Sequence, residues 1–371
     1  MATAPPEARH GLRRDLRLAT ETVRAGVVPS RDARAQKMWT RWCSFCSDIN
    51  ADPLLSSVAD PVPFLQTFGV RFRDGRLAPS NNKTRARTVE DAIRLVCQRF
   101  SELGAPDPRL DAQGHQDFRL RRMYAAWKKE DDPPSRVEPI PMPILLQAEA
   151  LGRRTPRDRA TLDCMWMGFY FLLRPGEYAN ASGDAKTPFR LQDVQFKIGS
   201  RHYPDVMTVP IENLLAATFV SLTFTTQKNG VKGEKLGHAS NGQRFACPVR
   251  AVIRRVEHLR SNHAHPSTPL HVYYDNGSQH AVTASMLSSL LRSAALTIPG
   301  HCGVQLSHIS ARSLRNSGAM ALLLAGCDPD KIRIVGRWRS DAMFRYMHAH
   351  ALPLIQHNST LMFRGGSYHL A

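Results

Sequence analysis

The chain has 371 residues, 42% of them hydrophobic, which is room for two ordinary domains with a core in each. Lys and Arg number 50 against 32 Asp and Glu, a formal charge of +18 that favours a polyanionic partner: nucleic acid, or failing that an acidic membrane surface. No apolar run reaches spanning length, the best being Met165 to Leu173. Seven scattered cysteines with no secretory leader argue against a disulfide framework and for a reducing, intracellular compartment, the nucleus in a eukaryote and otherwise the cytoplasm or nucleoid.

Residues 1–30 show no convincing apolar periodicity and are expected to form a flexible basic arm. Helical spacing then begins with Met38, Trp39, Trp42, Phe45 and Cys46 on one face. Cys43 and Cys46 form a CxxC without a second pair, so packing beside the tryptophans is the better reading than zinc. Pro61-Val62-Pro63 opens a second helix through Phe64, Leu65 and Phe68, and a loop with basic flanks covers 75–82. Further helices carry Ile93, Val96, Cys97 and Phe100, and then Leu120, Met123, Tyr124 and Trp127. These predict a small all-α domain with basic loops over 31–132, which the resemblance described below implies is DNA-binding.

Prolines 133, 134, 139, 141 and 143 mark a semi-rigid linker over 133–143. The domain expected over 144–371 is mainly α with a small antiparallel sheet. A buried helix is predicted from about Arg159 to Leu173, and strand alternation at 219–225. A hairpin turn is predicted at Asn229-Gly230, and helices near 249–259 and 283–295. From Ala311 three short helices follow. The first ends at Gly326, the second opens at Asp328-Pro329, and the third opens at Ser340-Asp341 and carries Tyr346.

Several residues in this half suit phosphodiester chemistry. Cutting DNA without a metal needs fixed cations for the charge on the non-bridging oxygens, a nucleophile in line with the scissile bond, and a proton donor for the leaving oxygen. Arg174 follows the buried helix in Leu173-Arg174-Pro175-Gly176-Glu177. Lys228 stands at the expected hairpin tip, with Lys232 and Lys235 as competitors. Arg312 and Arg315 open a helix, and Gly336-Arg337-Trp338 precedes Tyr346.

In that order the set resembles the tyrosine recombinases, the phage-integrase-like family, and most of all the variants of eukaryotic mobile elements, where Gly-Arg-Trp-x-Ser-Asp precedes the tyrosine. The motif-bearing likeness covers roughly residues 140–360, while the helical first half is similar to the family's core-binding domain in layout only. The resemblance implies a DNA strand transferase needing no cofactor, assembled as two or four copies on double-stranded DNA, with no membrane association. It makes Arg174 and Arg315 phosphate clamps, with Glu177 a structural acid behind Arg174. It makes Lys228 the proton donor, Trp338 a phosphate-binding indole and Tyr346 the nucleophile forming a 3′-phosphotyrosine.

Two departures stand out. Arg312 replaces the family's histidine; it can stabilise phosphate charge but cannot act as a base at ordinary pH, and His308 lies four positions upstream. The family's usual spacing before the tyrosine falls on Arg337 rather than Trp338, so either side chain is a candidate phosphate ligand.

Blander readings exist for each residue. Arg174 can simply pair with Glu177, Lys228 can be a solvated turn residue, Trp338 can be packing, and Tyr346 can be a core tyrosine between Met343 and Met347. The pairs His263/His265 and His348/His350 lack partners at metal-ligand spacing. At the level of function, a recombinase relic that binds DNA without cutting it and a type IB topoisomerase-like enzyme remain open alternatives.

Overall fold

Apolar residues at helical spacing, separated by proline- and glycine-containing turns, dictate the first part of the chain. The computed structural model describes residues 5–27, 29–111, 113–133, 137–180, 189–225 and 233–338. The chain divides into two compact units, 1–134 and 135–371. The first unit is helical: α1 (Pro6–Ala25), α2 (Pro29–Asp48), α3 (Val62–Arg73), α4 (Ala86–Glu102) and α5 (Phe118–Glu130). Trp42, Phe45, Phe68 and Phe100 fill its centre, with the Trp42 and Phe68 rings 5.3 Å apart and edge-on. Cys46 packs in this core, where burial pushes its thiol up to about 12. The Asp131 carboxylate closes the unit by accepting from Arg73 and from the backbone N–H of Ala86, the latter at 2.7 Å.

Most of the stretch 1–30, expected as a flexible basic arm without regular periodicity, is helical in α1. Leu12, Leu16, Ala19 and Val23 recur at steps of four, three and four among Arg, Ala and Glu, all compatible with a helix. Their stripe stays in solvent, Val23 being 69% exposed, so the helix is set by local propensity rather than by burial.

The second unit mixes helices with a small antiparallel sheet, the α+β arrangement expected. In chain order it holds α6 (Met142–Ala150), α7 (Pro156–Tyr170), α8 (Pro175–Tyr178), β1 (Val194–Ile198), β2 (Arg201–Tyr203), α9 (Ile211–Leu214), β3 (Ala217–Thr223) and β4 (Lys235–Ala239). It continues with α10 (Pro248–Ser261), β5 (Val272–Asp275), β6 (Ser278–Ala281), α11 (Ala284–Leu296), α12 (Ser313–Leu324) and α13 (Pro329–Val335). The main sheet runs β2-β1-β3-β4, every pair antiparallel. Val194, Phe196, Val220 and Leu222 point from it into a core shared with α7 and α10. Among the described residues, no helix is long and apolar enough to cross a membrane.

α7 is the axis of this unit. Thr155 and Asp158 cap its start reciprocally, each side chain accepting the other's backbone N–H at 3.1 Å, and every residue from Ala160 to Phe169 is buried. α12 crosses α7 at Gly318, where an added Cβ would stand 2.2 Å from the Phe169 carbonyl oxygen. Only a glycine allows this approach, and it brings the C-terminal end of α7 beside the helix that carries Arg315.

Candidate active site

Two helix ends build the site. α7 closes with the backbone N–H of Phe171 on the Met167 carbonyl and that of Leu173 on the Gly168 carbonyl, and Leu172 between them is left-handed at φ 49°. α13 closes in the same way: Arg337 N–H reaches Ile334 O, Trp338 N–H reaches Arg333 O, and Arg337 is left-handed at φ 57°. Glycine usually takes this position, and a residue with a side chain there costs about 1–2 kcal/mol. Both corners use residues whose other contacts offset that cost. Leu172 is fully buried, and the guanidinium of Arg337 donates to the Leu172 carbonyl at 3.2 Å, tying one corner to the other.

The same guanidinium reaches Glu177, with Nη2 3.0 Å from Oε2 and Nη1 3.4 Å from Oε1. It lies 4.3 Å from the Phe224 ring centroid and its side chain is 4% exposed. Burial lowers its affinity for the proton, against the pull of Glu177, yet an arginine keeps its charge throughout the ordinary pH range. Glu177 in turn accepts from the Arg174 backbone N–H at 2.8 Å and from its guanidinium at 3.0 Å. Burial would raise the Glu177 carboxyl, but Arg337 and Arg174 outweigh it and hold it below the usual carboxylate range. Arg174 remains the outward member, its side chain 31% exposed.

Arg315 enters from α12. Its Nη2 donates to the Gly336 carbonyl, and its guanidinium lies 4.4 Å from the Trp338 ring centroid. The half-buried Trp338 ring packs with Leu172, Ala319 and Ile332 and lies over Gly336, where a Cβ would fall 1.5 Å from the ring. Gly336-Arg337-Trp338 is therefore a splice: its carbonyl and indole hold Arg315, and the side chain between them holds Glu177 and through it Arg174.

Of the residues predicted from sequence, Arg174, Glu177, Arg315, Arg337 and Trp338 come together. Arg337 differs from the expectation that it could serve as a phosphate ligand. The left-handed corner turns it inward, and its fork is committed to Leu172 and Glu177. Arg312 stands exposed at the start of α12, outside the bonded set. His308 does not join either; its Nδ1 lies 2.8 Å from Glu138 Oε1. Lys228 and Tyr346 lie outside the described residues, as do Lys232 and the predicted helix at Ser340. Lys235 is at the start of β4, with Nζ 3.2 Å from Gln195 Oε1.

Two other tyrosines adjoin α7. The Tyr178 hydroxyl donates to the Ala311 carbonyl at 2.7 Å and that of Tyr170 to the Ala246 carbonyl at 2.8 Å. Burial raises both phenols, Tyr178 far above its ordinary value. Both hydroxyls are thus occupied by backbone carbonyls in this arrangement. Sequence reasoning missed the Phe224 ring and the carbonyls of Leu172 and Gly336. Phe224 was legible as an inward position of the predicted strand, but nothing in a sequence marks an individual backbone carbonyl as an acceptor.

No family model matches the chain, and no curated protein does. Among solved structures, the chain is similar to the Tn1549 transposon integrase in complex with transposon right-end DNA, at 11% identity and a TM-score of 0.46, over 82% of this chain and 84% of that one. It is similar to the same integrase with a circular-intermediate DNA at 10% identity and a TM-score of 0.45, over 88% and 99% of the two chains. It is also similar to XerA recombinase at 13% identity and a TM-score of 0.36, over 91% and 100%.

Proposed function

We propose that the chain cuts and rejoins duplex DNA through a 3′-phosphotyrosine on Tyr346, in the service of integration or excision of a mobile element, as an assembly of two or four copies. One observation carries the reading. Two arginines far apart in sequence are fastened to a single splice, Gly336-Arg337-Trp338, which lies shortly before the tyrosine in the chain. Fixed guanidiniums at that point suit the charge that grows on a phosphoryl group in the transition state.

In the first step the Tyr346 phenol oxygen attacks phosphorus. A new P–O bond forms as the bond to the 5′ oxygen breaks, the phenol gives up its proton to solvent, and Lys228 supplies one to the leaving oxygen. In the second step a 5′ hydroxyl attacks the phosphotyrosine, its proton passes back to Lys228, and Tyr346 leaves and regains a proton from solvent. Each step exchanges one phosphate ester for another, so the chemistry itself calls for no nucleotide or metal. Arg312, exposed where the family has histidine, adds positive charge and no base. That departure favours a second reading, a relic that binds DNA without cutting it.

The test is incubation with a nicked duplex that traps the covalent intermediate, followed by denaturing electrophoresis and peptide mapping. The wild type is expected to form an adduct at Tyr346. Tyr346→Phe is expected to bind with unchanged affinity and form none. An adduct on Tyr170 or Tyr178 would move the nucleophile, and no adduct on the authentic site would favour the relic.

A further inference from the structure

α12 begins in an unusual way. Its first position, where a Ser, Thr, Asp or Asn side chain commonly accepts a helix N–H, is Arg312, which has no acceptor and makes no capping bond. The turn closes partly on itself, Ser313 Oγ accepting the Ser310 N–H at 3.1 Å and the Ser313 N–H reaching the Ser310 carbonyl at 2.8 Å, and it is held further by its surroundings. From α11, Ser288 Oγ accepts the Ala311 N–H at 3.0 Å, and Arg292 Nε donates to the Ile309 carbonyl at 3.0 Å. From the other side comes the segment 137–140, near the start of the second unit. The Val137 carbonyl accepts from Asn316 Nδ2 at 3.4 Å. Glu138 takes His308 at 2.8 Å, and the Ile140 N–H donates at 2.6 Å to Ser317 Oγ. Ser317 is buried and passes its own hydrogen on to the Ser313 carbonyl at 2.7 Å, inside the first turn. The strap thus meets α12 at Asn316 and Ser317 and meets the lead into it at His308.

We infer that residues 137–140 are a strap that positions the arginine helix for the reaction, with Glu138 and His308 as its adjustable positioning pair. Helical geometry gives this its consequence. Arg312 projects between the directions of Arg315 and Asn316, which are 100° apart on the helix, so the strap borders the exit of the Arg312 side chain. With no capping bond from Arg312, the first turn relies the more on such ties, and fraying there would misplace Arg312 and loosen Arg315.

The inference rests on the strand-cutting reading for its effect on rate, but not for its effect on the helix, and the experiment separates the two. Full-length Glu138→Ala, His308→Ala and His308→Asn are compared with wild type. Hydrogen exchange of the amides of 310–317 is measured without DNA. Single-turnover cleavage at saturating DNA, and DNA affinity, are measured alongside. Both alanine variants are expected to exchange faster over 310–317 and to cleave about tenfold more slowly with affinity within twofold, while His308→Asn, whose amide N–H takes the place of Nδ1 toward Glu138, recovers most of both. Unchanged exchange in the alanine variants would overturn the strap, whether or not the wild type cuts DNA. A loss in affinity as large as the loss in rate would overturn the positioning role. A wild type that never cleaves would count against the strand-cutting reading alone and leave the exchange result standing.

Discussion

Arg337 is the residue on which the site turns. Its fork serves one carbonyl and one carboxylate at once, a geometry that a lysine's single ammonium cannot reproduce. Arg337→Met leaves Glu177 without its buried partner and the Leu172 carbonyl without its donor, and is expected to cost about 3 kcal/mol in urea unfolding. Arg337→Lys should lose less stability but still slow cleavage with DNA affinity retained, which binding and single-turnover assays would separate. Glu177 gives this network a pH signature. Its carboxyl is depressed in the folded chain, so its stabilising contribution is full above the unfolded value of about 4.3 and fades as the pH falls through the lower folded value. The stability gap between wild type and Glu177→Gln should therefore be constant from pH 7 to about 5 and narrow below about 4; a gap that widened on acidification would contradict the assignment.

At the scale of elements, the crossing of α7 and α12 sets how the cations face one another. Gly318→Ala would drive a methyl group into a backbone carbonyl that cannot step aside, and is expected to cost about 1–3 kcal/mol and to slow cleavage by spreading the two helices. Unfolding and cleavage measured together would check it, and an unchanged stability would mean that the crossing relaxes freely. Much of this architecture was legible from the residues. The Asp328-Pro329 start, the Gly326 stop, the inward alternation of β3 and the aromatic face of α2 are local patterns with local causes. β1 was legible in principle, since Val194, Phe196 and Ile198 alternate, but it is short. β2 has three residues and no pattern. The hairpin β5–β6 turns at Asn276-Gly277, both at positive φ, the same dipeptide rule that was applied at Asn229-Gly230 and overlooked here. The order of site motifs was readable, whereas the inward turn of Arg337 was not, because it depends on a left-handed backbone at a non-glycine residue. The helix in the first 30 residues was missed because its apolar stripe is thin, Leu12, Leu16, Ala19 and Val23 among many charged residues, and was not counted as a periodicity.

For the whole molecule, charge is the dominant property. A net +18 with basic loops predicts DNA affinity that falls steeply with salt, by about a thousandfold or more between 50 and 200 mM if six or more phosphates are contacted. Titrations at several salt concentrations would give the slope, and a flat response would remove the polyanion reading. The bond between Arg337 and Glu177 has a different consequence, in time rather than in space. Its partners lie 160 positions apart, so on a ribosome the two halves of the splice emerge roughly 10–30 s from one another. During that interval Arg174 and Glu177 already exist, but the corner that orders them and the tyrosine that follows it do not. On the function proposed above, a nascent chain would be unable to cut a strand until the segment carrying Tyr346 had been made.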